Sequence, residues 1–330
     1  MATRTLPIRL IELADRVDAE ELLALTLPGG TLPDLILACD FYVDGIEPGG
    51  SLDGIRVAGG YQHGRIVNVD HHAPTEEMRQ RISSTTLALE RMSAATASLG
   101  SLVVIHHTDC DSILSAGILA GRIAPDPTLN EAAIAADHTG AANHIADLLQ
   151  ALDRERDVEF SIRNLKALLD GRTLEPRAAS LLSKRHERRR AAAAAVANGA
   201  FNTISGVYYG VFTPKLEGEF FPSLLPKAKL ILAIEPIAGS RWVVKIRLGH
   251  AAPEWLTLDD LRLREYDRGW GGRWNAGGNG RTDGGGSQRG TTIPPNEYAA
   301  AIAARLEEFT SARVECAVRA DAPVCQSSST

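Results

Sequence analysis

The chain has 330 residues, 44% of them apolar and 23% charged, and a formal net charge of −6. That length exceeds one ordinary core and fits two domains, and the acidic balance argues against gripping long duplexes, which takes many cationic contacts. No charged segment with a long apolar run stands near the N-terminus, and no apolar stretch is long enough to span a bilayer. A cytoplasmic protein without a membrane partner is therefore expected.

In chain order, DLILACD (34–40), RIVNVD (65–70), LVVIHH (102–107) and EAAIAAD (131–137) read as strands. Their unbroken apolar character suits a parallel sheet covered on both faces. Helical patterns over 75–99 and 112–123 separate them, and this βαβ rhythm predicts an open, mainly parallel α/β domain with helices on both faces. From about 140 to 198 the pattern is helical throughout, a connector that ends at Asn198-Gly199. Its KRHERRR run (184–190) reads as a solvated helix face. Beyond 200, TISGVYYGVFT, AKLILAIEPIAG and SRWVVKIRLG read as strands. A Gly-rich stretch, WGGRWNAGGNGRTDGGG (270–286), and a helix over 295–309 complete a smaller mixed α+β domain. The expected division is 1–197 and 198–330. Of the four cysteines, Cys39 and Cys110 adjoin buried runs and read as packing residues, while Cys316 and Cys325 form no CxxC pair with anything.

Ligands of open α/β sheets bind beyond the carboxyl ends of the strands. Each expected strand of the first domain ends in donors: Asp40; Asp70, His71 and His72; His107, Asp109 and Asp111; Asp137 and His138. Carboxylates and imidazoles without thiolates suit Mn²⁺, with Mg²⁺ or Co²⁺ as substitutes. The set is too large for one tetrahedral zinc, and a pair of ions sharing a carboxylate would use it. An isolated strand-end aspartate is equally a helix N-cap. Three His/Asp clusters, each closing an apolar run, point to metal chemistry.

At this point the sequence resembles a family. VDHH (69–72) carries the signature of the DHH phosphoesterases, and HTDCDSILSAG (107–117) resembles their H-x-D-x-D element with its helix. IAADHTG (134–140) is similar to their later Asp motif, and ISSTTLALE (82–90) to the helix after DHH. GGRWNAGG (271–278) resembles the signature of the DHH-associated C-terminal domain, with Arg273 where that signature has His. The motif order is permuted, because H-x-D-x-D precedes DHH in the family and follows it here. The resemblance implies that His107 and Asp109 hold one metal, that Asp111, His71 and Asp137 hold the other, and that Asp40 bridges them. His72 would face the substrate phosphate or leaving group and Asp70 would orient it. Asp44 rivals Asp40 for the bridge and His106 rivals His107, with His63 and His138 as lesser candidates.

The expected activity is Mn²⁺-dependent hydrolysis of phosphodiester bonds. Substrates would be small nucleotides: short oligonucleotides including single-stranded RNA or DNA, cyclic dinucleotides or nucleotide bisphosphates. Gly271, Gly272, Arg273, Asn275, Gly277 and Arg281 would contact the phosphate, glycines by admitting close backbone approach and arginines by charge. The alternatives are an inorganic pyrophosphatase and an inactive nucleotide-sensing module of the same fold; a homodimer is left open.

Overall fold

In the computed structural model of the chain, the described residues are 5–12, 17–94, 100–280 and 289–320, without the side chains of 314–320. Arg281, Cys325, the Cys316 side chain, residues 95–99 of the expected first helix and the tail 321–330 lie outside them. The elements are β1 (Ile8–Leu10), α1 (Ala19–Leu23), β2 (Ile36–Cys39), β3 (Ile55–Val57), β4 (Gly60–His63), β5 (Ile66–Val69), α2 (Ser84–Ala94), β6 (Leu102–Ile105), α3 (Cys110–Leu119), α4 (Pro127–Ile134), α5 (His144–Leu152), α6 (Val158–Leu169) and α7 (Pro176–Ala197). There follow β7 (Asn202–Ile204), β8 (Val207–Val211), α8 (Phe221–Leu224), β9 (Leu230–Ile237), β10 (Arg241–Leu248), α9 (Leu263–Tyr266), β11 (Gly271–Arg273), β12 (Ala276–Gly278) and α10 (Pro295–Ala320). Contacts divide the chain between Ala191 and Ala192.

The first unit carries a six-stranded sheet in the order β1-β6-β2-β5-β4-β3. The first four strands in that order run parallel, while β4 and β3 fold back antiparallel. All four residues of β2, of β5 and of β6 are buried, as an interior parallel sheet requires. The β1-to-β2 and β5-to-β6 steps run in opposite directions along this order. Right-handed crossovers therefore place α1 and α2 on opposite faces. β6, β2 and β5 are neighbours, so their carboxyl ends open side by side.

Three sequence expectations change here. EAAIAAD is not a strand: Asp126 caps α4 through the Thr128 N–H, Pro127 occupies its first turn, and a π-helical turn over Ala135–Thr139 follows. Alanine-rich apolar runs satisfy either period, and the Asp-Pro start decides for helix. The helix expected from residue 75 begins at Ser84, because the Asp111 carboxylate accepts from the Ser84 and Thr85 N–H groups (2.6 and 2.7 Å) and fixes the start there. The KRHERRR run is not a uniformly solvated face. Arg185 is buried against Asp147 (3.1 Å), and Arg189 donates to Asp147 (2.7 Å) and to the Gly140 carbonyl (2.8 Å).

The second unit holds a sheet in the order β11-β12-β10-β9-β8-β7, antiparallel except for the β8–β9 pair. One face, with Leu232, Ile234, Val244 and Ile246, joins Tyr298 and Ile302 of α10 in a core. A smaller cluster gathers Ile231, Phe212, Phe220 and Phe221 around Ala192. The 271–278 stretch is a tight hairpin rather than an open loop. Among the described residues, no helix is long and apolar enough to cross a membrane.

Candidate metal centre

Asp40 follows β2, Asp70 and His71 follow β5, and Asp111 lies in the first turn of α3, one loop beyond β6. The π turn after α4 brings Asp137 to the same place. The His71 Nε2 atom lies 3.3 Å from Asp137, 3.7 Å from Asp111 and 3.8 Å from Asp40. His71, Asp111 and Asp137 form one group of convergent donors, and Asp40, His71 and His72 a second that shares His71. Asp40, His71, Asp111 and Asp137 are all buried.

Each side chain is held in place by local structure. Asp40 adopts a left-handed backbone (φ 59°), which aspartate tolerates better than most residues. Its N–H donates to the Val69 carbonyl (3.1 Å), while the buried Asn68 side chain ties down the same bend by donating to Phe41 O (2.8 Å) and accepting from Val43 N–H (3.0 Å). Ser84 and Ser112 hydroxyls donate to its two carboxylate oxygens (3.0 and 2.7 Å). Asp111 accepts three hydrogen bonds from the start of α2, including one from the Thr85 hydroxyl (2.6 Å). Thus the residue that aims a carboxylate at His71 also caps a neighbouring helix.

Electrostatics sharpen the picture. Burial, reinforced by Asp111, Asp109 and Asp137, pushes the Asp40 carboxyl well above the usual carboxylate range. Burial raises Asp111 to about 6; His71 opposes this and Asp137 adds to it. Concentrating like charges in a dry interior is costly unless a cation accompanies them. The hard oxygen donors with imidazole nitrogens fit a divalent ion such as Mn²⁺ or Mg²⁺ on chemical grounds.

His72 is the open member, with a side chain 27% exposed. Its Nδ1 lies 2.5 Å from Asp70, whose carboxylate also accepts from the His72 N–H (2.9 Å). Burial alone would raise Asp70. The charge and hydrogen bonds of His72, with the charge of His71, outweigh it and hold this carboxyl below its usual value.

The remaining sequence candidates lie outside the two donor groups. Asp109 caps α3 through the Ser112 N–H (3.1 Å); its charge reaches Asp40, but it belongs to neither donor group. His107 stacks edge-on against His106 (3.8 Å between ring centres), and its charge reaches Asp153. Asp44 lies outside both donor groups, its N–H donating to Val17 O. His138 meets Ile82 O through Nε2 (2.8 Å), with its ring 5.7 Å from that of His71. His63 pairs with Ile66, at the opposite end of β5 from the cluster. Ser84, Thr85, Ser112 and Asp153 were not singled out in the sequence. The Ser-Thr pair at a helix start and the serine one turn into α3 were the available signals.

In the second unit Arg273 lies on β11, Gly271 and Gly272 beside it, and Gly277 on β12. A Cβ on Gly272 would sit 2.3 Å from Gly277 Cα, and one on Gly277 2.6 Å from the Trp270 ring, so hairpin packing accounts for both glycines. Gly271 would meet nothing within 4 Å. Asn275 is buried in the turn, and its carbonyl accepts from Leu248 N–H (2.9 Å).

No protein-family profile and no curated protein matches the chain. Among solved structures, it is similar to the pGpG-specific phosphodiesterase PggH from Vibrio cholerae, with a TM-score of 0.39 and 11% identity over 65% of this chain and 81% of that one. It is also similar to an uncharacterized protein from Helicobacter pylori G27, with a TM-score of 0.20 and 10% identity over 84% and 99% of the respective chains. Likeness of this degree bears on neither activity nor substrate.

Proposed function

We propose that the chain is a divalent-metal-dependent phosphoesterase of the DHH type, acting on phosphodiester bonds of small nucleotides. The observation that carries this reading is the convergence of Asp40, His71, Asp111 and Asp137 at neighbouring strand ends. The motifs VDHH and HTDCDS supply the reaction class by resemblance, and Mn²⁺ is the proposed ion.

His71, Asp111 and Asp137 would hold one ion, and Asp40 would bridge from it toward a neighbouring one. His107 and Asp109 are retained as ligands of that second position. Bound divalent ions supply Lewis-acid polarisation of a phosphoryl oxygen and a water activated as nucleophile near neutral pH. The protein supplies the rest. The Ser84, Thr85 and Ser112 donors fix the carboxylates, so they need no reorganisation when phosphate charge develops. Asp70 holds the His72 ring through Nδ1, and a His72 protonated on both nitrogens would pass its Nε2 proton to the leaving oxygen and be left neutral. Arg273, with Arg281 outside the described residues, remains a proposed phosphate contact of the second unit.

The test compares turnover of a generic aryl phosphodiester, a short RNA, a cyclic dinucleotide and pyrophosphate with added Mn²⁺. Hydrolysis of one or more of the diesters, abolished by EDTA and by Asp111→Asn, is expected. Release from pyrophosphate alone would transfer the site to a pyrophosphatase, and metal binding without turnover of anything would make it a sensor.

A further inference from the structure

A buried charged network of the first unit has no part in the metal chemistry described so far. Arg185 and Arg189 stand four residues apart on α7, so they fall on one face of that helix. Both reach Asp147 in the first turn of α5. Arg185 Nε donates to its Oδ1 at 3.1 Å, and Arg189 Nη2 donates to the same oxygen at 2.7 Å. Arg185 and Asp147 are buried. Arg189 reaches further: its Nη1 donates to the Gly140 carbonyl (2.8 Å) and its Nη2 to the Ala141 carbonyl (3.3 Å).

Stability does not account for this arrangement. Leu148 and Leu152 of α5, Phe160 of α6 and Ala178 of α7 already pack these helices together, with Leu181 and Leu182 alongside. A buried ion pair adds little net stability over such packing, although breaking one is harmful. What it adds is direction, and the direction concerns the π turn over Ala135–Thr139. Gly140 closes that turn with a left-handed backbone (φ 65°) and an N–H that donates to the Ala135 carbonyl (2.9 Å). A π turn is a rare form, and the carbonyls at its exit need donors from elsewhere. Arg189 serves two successive carbonyls from one planar guanidinium, which fixes their orientation as well as their distance. Asp137 stands in the middle of the turn, 3.3 Å from His71 Nε2, so a rotation of the turn would carry this carboxylate away from His71.

We infer that Arg189, steadied by Asp147 and Arg185, is a positioning residue for Asp137: it holds the π turn in the setting that aims this carboxylate into the donor group. It acts through Asp137 and touches neither ion nor substrate. The use of that aim in binding metal rests on the function proposed above, whereas the hold on the turn does not.

Two measurements on the full chain test it. In EDTA, hydrogen exchange read by mass spectrometry should be about tenfold or more faster over residues 135–141 in Arg189→Met and unchanged over residues 158–169. With Mn²⁺, calorimetry completes a cycle with Asp137→Asn. Arg189→Met should weaken binding about tenfold in the parent chain and less than about twofold in Asp137→Asn, because the carboxylate it positions is gone. An arginine with a merely structural role would weaken both alike. Arg189→Met leaves Asp147 paired with Arg185, and circular dichroism melting checks that it folds. Arg189→Lys, which keeps the charge but cannot span two carbonyls, should show a smaller effect in the same direction and serves if the methionine variant is unfolded. Unchanged exchange in the turn, or equal losses of affinity in both backgrounds, overturns the inference. Where a chain takes up too little Mn²⁺ to titrate, the exchange measurement decides the inference by itself; a parent chain of that kind overturns the metal reading separately.

Discussion

Asp40 combines three demands in one side chain: a left-handed backbone, burial, and proximity to other carboxylates. Asparagine keeps the backbone preference and the shape but removes the charge. Asp40→Asn should therefore fold like the unaltered chain while losing at least about tenfold in Mn²⁺ affinity, read by calorimetry. The pH dependence of the metal-free protein follows from Asp111. Its folded carboxyl, near 6, binds a proton that the unfolded chain releases near 3.8, so stability declines as pH rises through that window. The unfolding free energy of EDTA-treated protein from urea titration should thus be higher at pH 5 than at pH 7.5, by roughly 1.4 kcal/mol, with the gap narrowed in Asp111→Asn. For His72→Ala, turnover should drop by about 10²–10⁴-fold with metal affinity largely kept. Equal loss of both would make His72 chiefly a ligand.

The elements show what the sequence could and could not disclose. β2, β5 and β6 are legible because each is a run of four apolar or small buried residues that ends abruptly in polar donors. The donors at their ends were legible for the same reason. Asp137 was found in the wrong element: it lies on a π turn closed by Gly140 (φ 65°), whose extra residue re-aims the side chain in a way no periodicity encodes. The support of that turn was hidden as well. Arg185 and Arg189 sit in a run that looks like solvated charge, and only packing of α7 against the α5 start reveals Asp147 as their partner. Short strands such as β1, β3 and β4 carry too few residues for a period to register. Because the pair is buried, Asp147→Ala should cost about 3 kcal/mol in urea unfolding. It should also weaken Mn²⁺ binding through the turn that Arg189 anchors at Gly140.

At the scale of the molecule, each unit owns a sheet and a core, and the whole buried donor set belongs to the first. A fragment of residues 1–191 should accordingly take up Mn²⁺ with an affinity within about tenfold of the full chain, while a fragment of residues 192–330 should not bind it. Motif order matters less than strand adjacency, since β2, β5 and β6 open side by side whatever the sequence in which the chain visits them. That adjacency has a consequence for assembly. β6 is the last strand of its sheet to be synthesised, yet it belongs between β1 and β2, which must wait with a vacant seat between them. Until residues 102–105 slot in, the early strands expose unpaired edges, a condition that slows maturation and invites chaperone attention. Ion capture, which needs Asp111 downstream of that strand, would then act as a latch on the finished sheet rather than a seed for it.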